Sequence, residues 1–211
     1  MLYYKKYLIL PLLLLSSGSI LTAMEQPQDQ AIIEKYDEIR DGQDVRSMFQ
    51  KNWDHIYHGK GYSEELAQAL LDVTHNPEDE NASLKEAKVL RNHKDLLGLV
   101  TYYRFYKRNK PEQGEQGWLE VLITDSAIPA QKAEKYKDLL MYTALQGLKN
   151  LGTPTTQMWI LKEHTPEITQ AEKFGFVKVG ETPLKRAWRY NFNHTPDQQE
   201  KLDKVMQSIK E

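Results

Sequence analysis

The chain has 211 residues, a formal charge of −2 and no cysteine. That length supports one domain with a sizeable core. Lacking cysteine, it has no disulfide framework, thiol nucleophile or cysteine-based zinc site, and its mildly acidic charge with scattered lysines carries no signature of nucleic-acid binding.

The first 23 residues stand apart. MLYYKKYLILPLLLLSSGSILTA has two lysines, then an apolar run from Leu8 to Leu15, then small residues as far as Ala23. This is the layout of a secretory signal, and the run falls short of the roughly 20 residues that cross a bilayer. We expect export, to a periplasm or the medium, with cleavage at Ala23. The alternatives are an uncleaved anchor, through which alone the chain would meet a membrane, and a merely adhesive tail. Residues 24–31 read as a polar linker.

IIEKYDEIRDG predicts a short first strand ending at Asp41 and Gly42. The period then becomes helical, with Val45, Met48, Phe49, Trp53 and Ile56 on one stripe. Ser63 is placed to cap a second helix, with Glu64 and Glu65 at its positive end and Leu66, Leu70 and Val73 sharing a face. EAKVLRN and DLLGLVTYYRFY flank a turn-like Asn92-His93-Lys94. GWLEVLIT follows the Pro/Gly-containing KRNKPEQGEQG, so the middle of the chain reads as an antiparallel meander.

A helix from about Ala133 to Leu151 sets Tyr136, Leu140, Ala144 and Leu148 on one stripe and closes on Gly152. It feeds the strand TQMWILKE through a β-α-β crossover. Thr165-Pro166-Glu167 opens the next helix, with Thr165 as its hydroxyl cap. AEKFGFVKVGE ends that helix at Phe174, turns out through a left-handed Gly175 and plugs back with Phe176 as a strand begins. RAWRYNF supplies a last strand. Thr195-Pro196 opens an amphipathic helix within residues 194–211, with Leu202, Val205, Met206 and Ile209 on one face.

Among polar residues, Glu120 stands mid-strand, on the opposite face from Leu119 and Val121. It is either a proton acceptor or a solvent-facing residue paired with a cross-strand lysine or arginine. His55 and His58 share a helix face but have no third ligand in view, so no metal site is assigned. His164, just before a helix, is a base, a substrate contact or a loop residue. Tyr102, Tyr103, Phe105 and Tyr106 read as core and rim packing. NAS and NHT are sequons that matter only in a eukaryotic secretory route.

The run Glu172-Lys173-Phe174-Gly175-Phe176, set within this element order, resembles the GNAT superfamily of acyl-CoA-dependent N-acetyltransferases over about residues 32–193. The resemblance implies an α+β domain: a mixed, mostly antiparallel sheet of six or seven strands, helices on both faces and the added C-terminal helix. It implies that two strands part after Trp118 and admit the pantetheine arm of acetyl-CoA beside Leu122, Ile123 and Thr124. The pyrophosphate would lie on backbone amides of Gln131, Lys132, Ala133, Glu134, Lys135 and Tyr136 at a helix N-terminus. Glu120 would take the proton from a primary amine.

Three positions depart from that family's pattern. Glu134 and Tyr136 stand where small residues are usual, with Lys132, Lys135 and Lys137 to offset the carboxylate. Ala171 stands where a tyrosine often serves as general acid, leaving water, Tyr136 or Thr165 for that role. The implied function is acetyl transfer to an amine whose identity has no recognisable code in the loops Tyr57 to Ser63 and Lys107 to Gly117. The alternative is a non-catalytic GNAT-fold binding or scaffold module, which export would favour because acetyl-CoA is cytosolic.

Overall fold

The computed structural model describes residues 31–72, 83–106 and 115–210; the signal-like segment 1–23, nearly all of the linker, most of the NAS sequon and the loop before GWLEVLIT lie outside them. In chain order the elements are β1 (Ile32–Lys35), α1 (Glu38–Ile56), α2 (Glu64–Leu71), β2 (Ser83–Arg91), β3 (Leu96–Tyr106) and β4 (Glu115–Thr124). Then come α3 (Ala130–Asn150), β5 (Thr155–Leu161), α4 (Thr165–Lys173), β6 (Val177–Glu181), β7 (Lys185–Asn191) and α5 (Pro196–Lys210). Seven strands form one sheet in the order β1-β2-β3-β4-β5-β7-β6. Every neighbouring pair is antiparallel except β4 and β5. No helix among the described residues is long and apolar enough to cross a membrane.

Each face of the sheet carries its own core. Under α1 and α2, Val45, Met48, Phe49 and Trp53 meet Val89, Leu99, Val121 and Ile123. On the other face, Leu140, Ala144 and Leu148 of α3 join Ala171 and Phe174 of α4 and Leu202 and Val205 of α5 against Tyr102, Met158 and Tyr190. The α1 stripe is the one read from the sequence. In α2 the buried residues are Ala67, Leu70 and Leu71, while Leu66 is exposed and Val73 lies outside the described residues. The predicted face was therefore rotated toward solvent.

The first strand is shorter than expected. It stops at Lys35 because the Asp37 carboxylate accepts from the amides of Ile39 and Arg40, both at 3.0 Å, and starts α1. Asp41 and Gly42 are consequently buried helix residues rather than a turn. Asp41 is fully buried and holds Arg40 (2.8 Å), Arg91 of β2 and the Asp37 amide (3.0 Å). Burial opposes its ionisation, but Arg40, the Asp37 amide and Arg91 hold its carboxyl below the usual aspartate range. The other capping shift is at α4, where His164 precedes the helix without a side-chain cap bond and Thr165 is already helical. Ser63 caps α2 as read, accepting from Leu66 N at 3.3 Å.

Gly175 has φ +88°, a conformation that strains any residue with a Cβ. It lets the Phe176 amide reach back to the carbonyl of Ala171 at 2.9 Å, while Phe174 and Phe176 both bury in the core. Gly147 serves packing instead. A Cβ there would collide with the Tyr102 ring and hydroxyl, which pass beneath α3 to donate to Glu86 at 2.9 Å.

Two stability outcomes follow from these contacts. Gly147→Ala should lower the unfolding free energy by about 1–3 kcal/mol through overpacking, read by urea denaturation; unchanged stability would contradict the tight seat of Tyr102. Asp41→Asn should cost about 3 kcal/mol by leaving Arg91 and Arg40 without their buried partner. The depressed Asp41 carboxyl contributes stability that is complete above the unfolded aspartate pKa, about 3.9, and disappears as pH falls through its lower folded value. The variant should lose that part of the acid dependence, and an identical pH–stability curve would refute the assignment.

Candidate active site

The strands β4 and β5 pair at two positions, Gly117 with Thr156 and Trp118 with Gln157. Beyond Trp118 they part: β4 continues beside β3 as far as Thr124, and β5 continues beside β7 as far as Leu161. The slot between them belongs to a cavity of about 940 Å³. One wall is β4 from Trp118 to Thr124 and the other is β5 from Met158 to Leu161. Helix starts close one end, with Ala130 and Ala133 of α3 and Thr165 and Glu167 of α4. On the opposite side of the sheet it opens beside His55, Ile56 and Tyr57 at the end of α1.

A β-bulge sits at the centre of this wall. Thr101 pairs with Val121 and Tyr102 with Leu119, so Glu120 faces no partner on β3. The extra residue breaks the alternation of the strand. Leu119 and Leu122 pack toward α3, whereas Val121 and Ile123 pack under α1 and α2. Leu119 and Val121 therefore do not share a face, which corrects the period-2 reading of WLEVLIT. Glu120 is held by one oxygen: Lys85 Nζ lies 2.7 Å and Thr101 Oγ1 3.4 Å from Oε2. Glu120 lines the cavity beside these contacts. The basic partner of the bland reading is real, but it comes from β2, two strands away.

At the other end, α3 begins at Ala130, three residues before the expected start, with Pro129 as an N-cap lacking any side-chain bond. No acidic residue lies in its first turn. The Pro129 carbonyl accepts from both Lys132 and Ala133 at 2.9 Å, so the first-turn amides left without an intrahelical partner are those of Ala130 and Gln131. The residues expected at this turn divide. Ala133 and Glu134 line the cavity, as do Leu122, Ile123 and Thr124 on β4. Gln131, Lys132 and Lys135 lie on the same opening turns but not on the cavity wall, and Lys132 stacks 5.7 Å from the Tyr136 ring centroid. Tyr136 itself is buried in the core.

Glu134 does not fill the slot. Its carboxylate is mostly exposed and lies 3.7 Å from Lys173. Lys173 also holds the buried Asp138 at 2.5 Å. Across the cavity, Lys137 and Glu167 pair at 3.0 Å. Burial works against the Glu167 carboxylate, yet Lys137 keeps its pKa below the usual glutamate value. Ala171 is fully buried. Of the two substitute hydroxyls, Thr165 lines the cavity and Tyr136 does not.

Several cavity residues escaped the sequence reading. Tyr103, taken for packing, lines the cavity beside Trp118 and Tyr57. Burial first, then the Glu120 charge, pushes the Tyr103 hydroxyl up to about 12 and raises Tyr57 in the same way. His55 and His164 meet across the mouth, their Nδ1 atoms 3.5 Å apart, and His58 lies 3.3 Å from Glu163. Among the described residues no group of three or more His, Asp or Glu could hold a metal ion.

Solved structures share the parted sheet's overall architecture. The aminoglycoside 6'-N-acetyltransferase from Enterococcus faecium superposes at a TM-score of 0.55 and 16% identity, over 79% of this chain and 99% of that one. Arabidopsis thaliana NAA60, in complex with a bisubstrate analogue, gives 0.57 at 11% identity over 79% and 100%. This chain has the GNAT fold. A Thermoplasma acidophilum PaiA N-acetyltransferase in complex with coenzyme A, at 0.52 and 15% identity over 77% and 99%, shares that GNAT fold. No family model and no curated protein matches the sequence.

Within this GNAT-fold cleft the histidine pair gives a direct electrostatic test. Burial and then the neighbouring His55 lower the His164 pKa, so the imidazole stays neutral further into acid than a free histidine. By NMR titration, His164 should titrate below about 6.5, the free-histidine value, and His55→Ala should raise its midpoint by removing a like charge. A midpoint that stays put or falls would contradict the contact.

Proposed function

We propose that this GNAT-fold chain is an N-acetyltransferase that moves an acetyl group from acetyl-CoA to a primary amine. One observation carries the reading: β4 and β5 separate beyond Trp118 and leave an open cavity that reaches both faces of the sheet. Along that edge β4 pairs only with β3, so its slot-side backbone groups are available to an extended, amide-bearing tail. The start of α3, with two first-turn amides and no first-turn acid, suits an anion such as pyrophosphate. Coenzyme A is bound in a structural neighbour of the same fold.

In this reading the Glu120 carboxylate, anchored at Oε2 by Lys85 and Thr101, accepts a proton from the incoming ammonium. The neutral nitrogen then attacks the thioester carbonyl, the carbon–sulfur bond breaks and coenzyme A leaves as thiolate. The attacking nitrogen sheds its second proton as the amide forms, and Thr165, on the cavity wall at the start of α4, is the hydroxyl placed to relay that proton to the thiolate. The helix dipole there favours the thiolate's negative charge.

A non-catalytic binding module is the second reading. It is favoured by Glu134 on the cavity wall near the α3 start, by Ala171 and by the signal-like residues 1–23. Calorimetry on the purified chain separates the two. We expect acetyl-CoA to bind, weakly because of Glu134, and Glu120→Gln to cut turnover by about 10²-fold or more while sparing affinity. No heat at millimolar acetyl-CoA removes the transferase reading, and full activity in Glu120→Gln removes Glu120 from its role.

A further inference from the structure

The half of the cavity under α1 has a composition that the slot itself does not need. Tyr103 and Trp118 are direct cross-strand partners on β3 and β4, with rings 6.4 Å apart and within 11° of parallel. Tyr57, at the end of α1, packs 4.9 Å from the Trp53 ring and is tied by its amide to the Trp53 carbonyl at 2.7 Å. Trp53 in turn donates from Nε1 to the Gly61 carbonyl at 2.8 Å, fixing the loop that follows. All three cavity aromatics stand around Glu120, whose charge is felt by the Tyr57 and Tyr103 hydroxyls. On the far bank Trp159 of β5 adds a fourth, largely exposed ring.

The acids of the cavity limit how much positive charge it can take. Asp125 lies 3.6 Å from Lys51, Glu134 lies 3.7 Å from Lys173, and Glu167 lies 3.0 Å from Lys137. Each lies beside a lysine, and Lys173 serves the buried Asp138 as well. Of the cavity acids, Glu120 has the shortest contact, 2.7 Å to Lys85, and is the acid set among the aromatic rings. A ligand with several ammonium groups would meet a lysine beside every acid it reached. A single ammonium on a ring-bearing or apolar body would find a charge partner and aromatic faces together.

We propose that this half of the site selects a monocationic amine with an aromatic body, its ammonium on the Glu120 carboxylate and its ring among Tyr57, Tyr103 and Trp118. The inference rests on the transferase reading for the amine's fate, but not for its binding. Phenethylamine has this chemistry as a free amine, and a short peptide amide beginning with phenylalanine has it as a polypeptide N-terminus.

The test is calorimetry on the full chain without acetyl-CoA, so that failure to bind acetyl-CoA leaves it standing. The probes are phenethylamine, the Phe-leading peptide amide, 2-phenylethanol as the uncharged control, spermidine and kanamycin. We expect phenethylamine or the peptide to bind at least tenfold more tightly than spermidine, kanamycin or phenylethanol. Whichever of the two binds better names the source. Glu120→Gln should erase the preference for amine over alcohol while the aromatic contacts persist. Equal or tighter binding of spermidine or kanamycin, no preference over phenylethanol, or no binding of either aromatic amine overturns the proposal.

Discussion

Two paired residues set the rest of this structure. Gly117 and Trp118 clip β4 to β5, and everything beyond them diverges because each strand is claimed by another neighbour. The β-bulge at Glu120 falls two residues past the clip, where an inserted residue bends a strand and increases its twist. The crossover helix α3 then starts near the open end, with Ala130 on the cavity wall. A slot between the carboxyl ends of two parallel strands, bordered by a helix start, is where open sheets of mixed type place ligands. Fold alone does not assign a reaction, and the chemistry is proposed from the side chains in that slot.

Those side chains form a nearly neutral set. Lysines oppose Asp125, Glu134 and Glu167, so the carboxylate at the anion end is partnered rather than aimed at the helix start. Glu120 is treated differently. The bulge sets it among aromatic rings, and Lys85 reaches across from β2 to its Oε2. That arrangement keeps a carboxylate oriented on the wall of the cavity.

Much of the fold was legible because it rests on periodicity and local turn chemistry. The α1 stripe, the Ser63 cap, the Gly175 exit and the burial of Phe176 are each encoded within a few residues. The errors came where a local signal had two outcomes. IIEKYDEIRDG reads as a strand until Asp37 is recognised as a cap, and Pro129 starts α3 before its apolar stripe begins. Tyr136 belonged at once to that stripe and to the expected turn, and packing decided for the stripe. The bulge was not legible at all, because its register is a relation between β3 and β4 rather than a property of WLEVLIT. Lys85 and Tyr103 reach the site through that register, and Tyr57 through the packing of α1 on the sheet.

The account stands or falls on where a thioester's carrier sits. Backbone amide shifts of the isotopically labelled chain, followed by NMR during titration with coenzyme A, address this directly. Perturbations concentrated at residues 119–124 and at Ala130 and Gln131 are what the parted strands predict. Binding that leaves those amides unmoved while shifting others would contradict it.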